Sequence, residues 1–135
     1  MYKNILVPIA LDNEDDRATK AIDVAKKLGD DGARITLLHV IESVPSYAIS
    51  YIASDVLAET RKGIEAEMER LAADTGAEAK VIDGHSGRTI LDYAEEHGPD
   101  LIVIASHRPG MQTLLLGSTA THVVRHAQCA VHVLR

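Results

Sequence analysis

Leu101 to Ala127 reads LIVIASHRPGMQTLLLGSTATHVVRHA: five apolar residues, a polar loop, then Gly117-Ser118 opening a helical pattern. Leu101–Ala105 comes after Gly98-Pro99-Asp100 and carries no polar position, so it predicts a strand buried on both faces, most simply in a parallel sheet. The segment after Ala105 is then the loop at the carboxyl end of that strand. In open α/β sheets ligands settle in the crevice outside those ends, where a helix N-terminus offers free N–H groups and partial positive charge to an anion. Gly117-Ser118 supplies such a terminus.

The rest of the chain repeats the same rhythm. Ile5-Leu6-Val7-Pro8-Ile9 predicts a first, central strand, with Pro8 marking where ladder pairing stops. Leu11–Asp16, LDNEDD, is a polar turn with residues suited to helix capping, or alternatively to a divalent cation. Ala18, Ala21, Ile22, Ala25 and Leu28 then recur at helical spacing, and Gly29 is placed at the C′ position that closes the helix. Ile35–Ile41 predicts the second strand, in which His39 reads as a hydrogen-bonded structural residue in preference to a catalytic base. Ser43–Ser54, with Pro45 and two Tyr but no clear periodicity, is a long connection, either a lid over the site or a plain loop. A second helix runs from Leu57 through Ile64, Met68 and Leu71 to Gly76, with Met68 as core filler. Ala79–Asp83 is a short third strand, Ser86 is read as the N-cap of a helix with Ile90, Leu91 and Ala94 on one face, and Ala130–Leu134 is the fifth strand.

Strands starting near 4, 35, 79, 101 and 130, alternating with helices, give a single α/β domain over residues 1–135. The expected architecture is an open five-stranded parallel sheet with helices on both faces and right-handed crossovers.

Composition narrows the function classes. The chain is 46% hydrophobic and 25% charged, an ordinary globular balance, and its aromatic residues are Tyr alone, with no Phe or Trp, so stacking platforms for single-stranded nucleic acid are excluded. A formal net charge of -6 argues against nucleic-acid backbones as partners, so any anionic ligand must be held locally. The single Cys129 excludes an internal disulfide and fits a reducing compartment; its place before the last strand reads as a small hydrophobe. No apolar run approaches about 18 residues, and Met1-Tyr2-Lys3 leads straight into a strand, so neither a membrane span nor a signal segment is expected and the cytoplasm is the expected site.

The segments ILVPI, LIVIASHRPG and GSTATHVVRHAQCAVHVLR together resemble the universal stress protein family over the whole chain, and in particular a branch whose loop reads Ser-His-Arg-Pro. The resemblance implies a Rossmann-like sheet of order 3-2-1-4-5, with the crevice between the first and fourth strands. Many members bind ATP through a loop patterned Gly, two residues, Gly, nine residues, Gly, then Ser or Thr. Here Ala105 stands at the first Gly and Arg108 at the second, eight residues precede Gly117, and Gly117-Ser118 is intact. Carried over, Ala105, Ser106, His107, Gly117, Ser118 and Thr119 are the implied phosphate residues, and Pro8, Ile9, Ala10 and Val40 lie about the base. Ala10 takes the place of the acid usual after the first strand. The implied cofactor is ATP, or AMP or ADP, with Mg as an accompanying ion.

Other constellations are weaker. A phosphoacceptor receiver domain shares the rhythm, but this sequence has no Lys after Lys80 and no crossover helix after its fifth strand. His122 and His126 are spaced i, i+4 and can chelate a transition metal, yet no third ligand of suitable spacing accompanies them, so a solvated or interface pair is expected. His85-Ser86 lacks an acidic orienter and is not read as a catalytic pair. His107-Arg108-Pro109-Gly110 is either a Pro-Gly turn or an anion clamp, in which Arg108 offers forked donors to phosphate. Two functions are consistent with this pattern. One is an ATP-binding stress-response regulator or sensor with at most slow hydrolysis, because no catalytic base and metal set stands out. The other is a dimeric interaction protein of the same fold that takes no nucleotide. In either, Val131-His132-Val133-Leu134 is the expected homodimer strand.

Overall fold

The alternation of strand and helix signals is realised in a computed structural model that describes residues 1–11, 16–42, 46–106 and 116–135. The elements run β1 (Tyr2–Pro8), α1 (Arg17–Leu28), β2 (Gly29–Ile41), α2 (Ser46–Ile49), α3 (Ser54–Thr75), β3 (Glu78–Asp83), α4 (Ser86–His97), β4 (Leu101–Ala105), α5 (Ser118–His126) and β5 (Ala130–Leu134). All four strand pairings are parallel, and the order is β3-β2-β1-β4-β5. This is the expected open sheet, with β3 and β5 as its edges.

The unbroken apolar runs result from burial on both faces. Successive strand residues point to opposite sides. Ile5, Val7 and Ile9, with Leu37, Leu101 and Val103, pack against Ala21, Ile22 and Ala25 of α1 and Met68, Leu71 and Ala72 of α3. Leu6, Leu38, Ile102 and Ile104 pack on the other side against Ile90 and Tyr93 of α4 and Ala120 and Val123 of α5. A central strand covered on both faces has no position left for a polar side chain, which is why ILV and LIVI contain none. Met68 is fully buried, as expected of core filler. On α4, Tyr93 rather than Leu91 completes the buried row with Ile90, because i and i+3 share a helix face and i+1 does not.

Several local expectations are corrected. Gly29 closes α1 as expected, its N–H bonding the Ala25 carbonyl, but without the left-handed conformation: its φ of -78° and ψ of 146° are extended, and it also opens β2 by pairing with Tyr2. It is small because an added Cβ would lie 3.0 Å from the Ala33 Cβ and 3.2 Å from the Ile5 side chain. One residue thus ends the helix and starts the strand, which begins at Gly29 rather than Ile35. Gly76 and Gly98, with φ of 72° and 61°, do take the left-handed conformation and close α3 and α4. Asp16 precedes α1, but its carboxylate reaches Lys20 at 3.3 Å instead of capping the helix. The connection expected over Ser43–Ser54 contains the short α2, and α3 starts at Ser54 rather than Leu57. Ser43–Pro45 and Asp12–Asp15 lie outside the described residues.

At the amino end of the sheet the chain is tied to itself. The Asp100 carboxylate accepts the N–H of Lys3 at 2.9 Å and of Asn4 at 3.0 Å, and the Asp100 N–H donates to the Asn4 carbonyl at 2.9 Å. The Asn4 amide donates to the carbonyls of His97 and Gly98 at 3.1 and 3.2 Å, covering orphan carbonyls at the end of α4. Desolvation pushes the Asp100 carboxyl up, but the N–H groups of Lys3 and Asn4 outweigh it and hold it below its usual range. Cys129 is half-buried against the α4/α5 side of the core, and burial together with the nearby Asp100 charge pushes its thiol up, which suits a packing residue and not a nucleophile. Among the described residues no helix is long and apolar enough to cross a membrane.

Candidate functional site

The central seam of the sheet opens towards its carboxyl end, and Pro8 helps to set where. β1 pairs with β2 from Asn4 to Pro8, whereas its pairing with β4 is limited to Ile5 with Leu101 and Leu6 with Ile102. Backbone polar groups alternate along a strand, and the Ile9 N–H bonds the Leu38 carbonyl on the β2 side at 2.8 Å, so the missing N–H of Pro8 falls on the β4 side. Beyond Leu6 and Ile102 the two strands no longer bond each other. The crevice lies between their ends, at the topological switch point.

One wall of the crevice is held by His39. Its Nδ1 lies 2.7 Å from the Ile9 carbonyl, and since a carbonyl only accepts, that ring nitrogen carries the proton. His39 is thus the hydrogen-bonded structural histidine expected, and it pins the turn after β1. Ile9 is buried in the α1/α3 side of the core and Val40 packs on the α4/α5 side, while Pro8 is half-buried and Ala10 exposed. Both backbone polar groups of Ile9 are engaged within the protein, its N–H with Leu38 and its carbonyl with His39.

The other wall comes from β4 and α5. Ala105 is half-buried, and Ser106 is buried, donating its N–H to the Leu134 carbonyl at 2.8 Å and accepting the Gly117 N–H on its own carbonyl. That last bond closes the neck of the loop between them. His107 and Arg108 lie within that loop, outside the described residues. Gly117 is the N-cap of α5 and has no side chain with which to cap it; the first helical bond runs from the Thr121 N–H to the Gly117 carbonyl at 2.9 Å. The N–H groups of Ser118, Thr119 and Ala120 therefore have no intrahelical acceptor. Ser118 is exposed.

The Thr119 hydroxyl has a partner within the protein. Its Oγ1 lies 2.9 Å from the Ser86 Oγ at the start of α4. Ser86 is the first helical residue rather than the N-cap, which is His85, and its N–H donates to the Glu42 carboxylate at 3.0 Å. Hydrogen bonding from Ser86 holds the Glu42 carboxyl below its usual range. Nothing local in the sequence marks Glu42, because its partner is 44 residues away. Gly87 lets α5 approach: a Cβ there would come within 2.9 Å of the His122 ring. His122 and His126 are both exposed, with ring centroids 4.7 Å apart, and no group of three His, Cys, Asp or Glu able to hold a metal occurs among the described residues.

A family model described as the universal stress protein family matches residues 1–135. The chain belongs to that family. Universal stress protein A homolog 2 of Coxiella burnetii is 36% identical over 142 residues, covering 99% of this chain and 95% of that protein. Universal stress protein G of Escherichia coli is 32% identical over 143 residues, with both chains fully covered. Among solved structures, the universal stress protein UspA from Lactobacillus plantarum superposes with a TM-score of 0.72 at 28% identity, covering 99% of this chain and 98% of that one. More distant universal stress proteins share the fold and have been solved with nucleotides: one with cAMP, one from Arabidopsis thaliana with AMP and one from Archaeoglobus fulgidus with dAMP, at 16%, 18% and 19% identity and TM-scores of 0.71, 0.64 and 0.62.

Proposed function

We propose that this universal stress protein binds an adenine nucleotide in the crevice where β1 and β4 part, and acts as a stress-response regulator or sensor with at most slow ATP hydrolysis. The observation that carries the reading is the start of α5. Gly117 cannot cap the helix, Ser118 is exposed, and the first-turn N–H groups stand at the carboxyl end of β4, a donor set suited to phosphate. The AMP, cAMP and dAMP complexes of proteins with this fold support the same ligand class. In this reading Ser106, His107, Gly117, Ser118 and Thr119 surround the phosphates with Ala105, Arg108 adds a charged clamp, and Pro8, Ile9, Ala10 and Val40 border the base. ATP is the nucleotide proposed, with AMP and ADP as competitors. Any Mg would arrive on the phosphates, since this ion commonly keeps its waters and substrate oxygens.

Native mass spectrometry of the purified protein, looking for a co-purified nucleotide, followed by calorimetry with ATP, AMP and adenosine, tests the reading. Absence of binding at millimolar ATP overturns it. That result would favour the second reading, a dimeric interaction protein without nucleotide, for which the specific observation is the exposed Ala10 where the family usually has an acid. We place the protein in the cytoplasm, in the branch with a Ser-His-Arg-Pro loop, and as a homodimer through β5, which among the described residues is an edge strand paired with β4. Sedimentation should show a dimer at micromolar concentration, and Val133→Asp should split it. The segment Ser43–Ser54 is proposed as a cover over the crevice. Limited proteolysis there, slowed by saturating ATP, is the expected result.

A further inference from the structure

Thr119 stands in the first turn of α5 with its hydroxyl bonded to α4. Two hydrogen bonds in series run from the end of β2 to that turn: the Glu42 carboxylate takes the Ser86 N–H at 3.0 Å, and the Ser86 hydroxyl shares a proton with the Thr119 hydroxyl at 2.9 Å. A third contact works alongside them, the close seat of the His122 ring against Gly87. Together they fasten the N-terminal part of α5 to the N-terminal part of α4. The other tether of this turn is the Gly117 N–H on the Ser106 carbonyl.

We infer that Ser86 is a positioning residue for phosphate: through its bond to Thr119 it fixes the first turn of α5, so that the N–H groups of Ser118, Thr119 and Ala120 are held ready for an anion. Thr119 then serves the ligand through its backbone, while its hydroxyl serves the protein. The inference rests on the nucleotide reading above. Its physical basis is preorganisation: free N–H groups at a fraying helix start must be ordered by the ligand, and that ordering is subtracted from the affinity. A turn held from both sides does not carry that cost. The effect falls on phosphate alone, because adenine and ribose lie on the other wall.

The test uses the full chain in two arms. In the ligand-free protein, hydrogen exchange should show the amides of Gly117 and Thr121, which bond the Ser106 and Gly117 carbonyls, exchanging about tenfold faster in Ser86→Ala than in the parent, with the helix centre unchanged and Ser86→Thr restoring the parent rate. In calorimetry, Ser86→Ala should lower ATP affinity about tenfold while leaving adenosine affinity unchanged, with Ser86→Thr again restoring it. Equal exchange in Ser86→Ala and parent overturns the inference whatever the ligand. Faster exchange with an unchanged ratio of ATP to adenosine affinity also overturns it, since the bond then only stabilises the fold. A parent that binds neither ATP nor adenosine is a different failure, that of the nucleotide reading, and removes the phosphate role with it. Glu42→Gln, which keeps an acceptor for the Ser86 N–H, should behave nearly as the parent in both arms.

Discussion

The two ends of one sheet treat their polar groups in opposite ways. At the amino end, Asp100 and Asn4 turn inward and close on the N–H and carbonyl groups of neighbouring segments, five hydrogen bonds among Lys3, Asn4, His97, Gly98 and Asp100. At the carboxyl end, the helix start at Gly117 has no capping side chain, and Ala10 and Ser118 are left exposed. The same parallel register that buries the strands creates both ends. The difference lies in which residue types stand beyond the strands: side chains with acceptors and amides at one end, Gly, Ala and Ser at the other. An end that satisfies itself contributes stability, and an end that leaves donors open is available to a ligand.

The sharpest way to break this contrast is Gly117→Val. The Gly117 φ of -63° is open to Val, so the fold should survive, but a branched side chain would stand where phosphate is to approach. ATP affinity should fall more than a hundredfold by calorimetry, with a melting temperature within a few degrees of the parent. Undiminished binding would show that the nucleotide sits elsewhere. Arg108→Ala comes next. Losing a charge-assisted hydrogen bond costs roughly 1.5 to 3 kcal/mol, so ATP binding should weaken about ten- to a hundredfold, its salt dependence should flatten, and adenosine should bind as before. Binding as tight as the parent would mean that the loop is only a turn.

The amino end answers differently. Asp100→Ala removes the acceptor of two N–H groups at an exposed site and should cost about 1 to 2 kcal/mol, a fall of roughly 5 °C in melting temperature, with ATP affinity unchanged. Its pH dependence has a definite sign. Because the folded state holds the Asp100 carboxyl below its unfolded value, the stabilisation is fully present above the ordinary carboxylate range and is lost as the pH falls through the depressed value. Parent and variant stabilities measured by urea unfolding should therefore converge in acid. A gap that stays constant would mean the two hydrogen bonds do not depend on the charge.

Legibility in the sequence varies with the range of the deciding interaction. Leu101–Ala105 and Ala130–Leu134 form strands with the expected boundaries, since short apolar runs bounded by Gly, Pro, Asp or Gln need only local information. His39 is legible as a structural residue because a polar ring in an apolar strand must find a partner. Gly29 is legible as the end of α1, but its second role as the start of β2 is not, because that depends on Tyr2 lying beside it. Ser86 misleads for a related reason: a serine before an apolar row suggests a cap, and what displaces that role is Thr119 and Glu42, both distant in sequence. The end of ladder pairing is legible through Pro8 and the crevice through the strand order that the family resemblance implies, whereas the fastening of α4 to α5 is legible through neither.

The thin seam between β1 and β4 also bears on how the chain is made. All partners of β1 on its β2 side emerge early, but its other edge waits for Leu101 and Ile102, and the Asp100 stitch beside them. At ordinary synthesis rates, a nascent chain that has just completed β3 displays the bare apolar edge of its central strand for on the order of seconds. The first half of this protein thus depends on the second during translation. A chain ended after His97 should scatter light at micromolar concentration where the full chain stays clear, and a clear solution of that fragment would show that the open edge is protected in some other way.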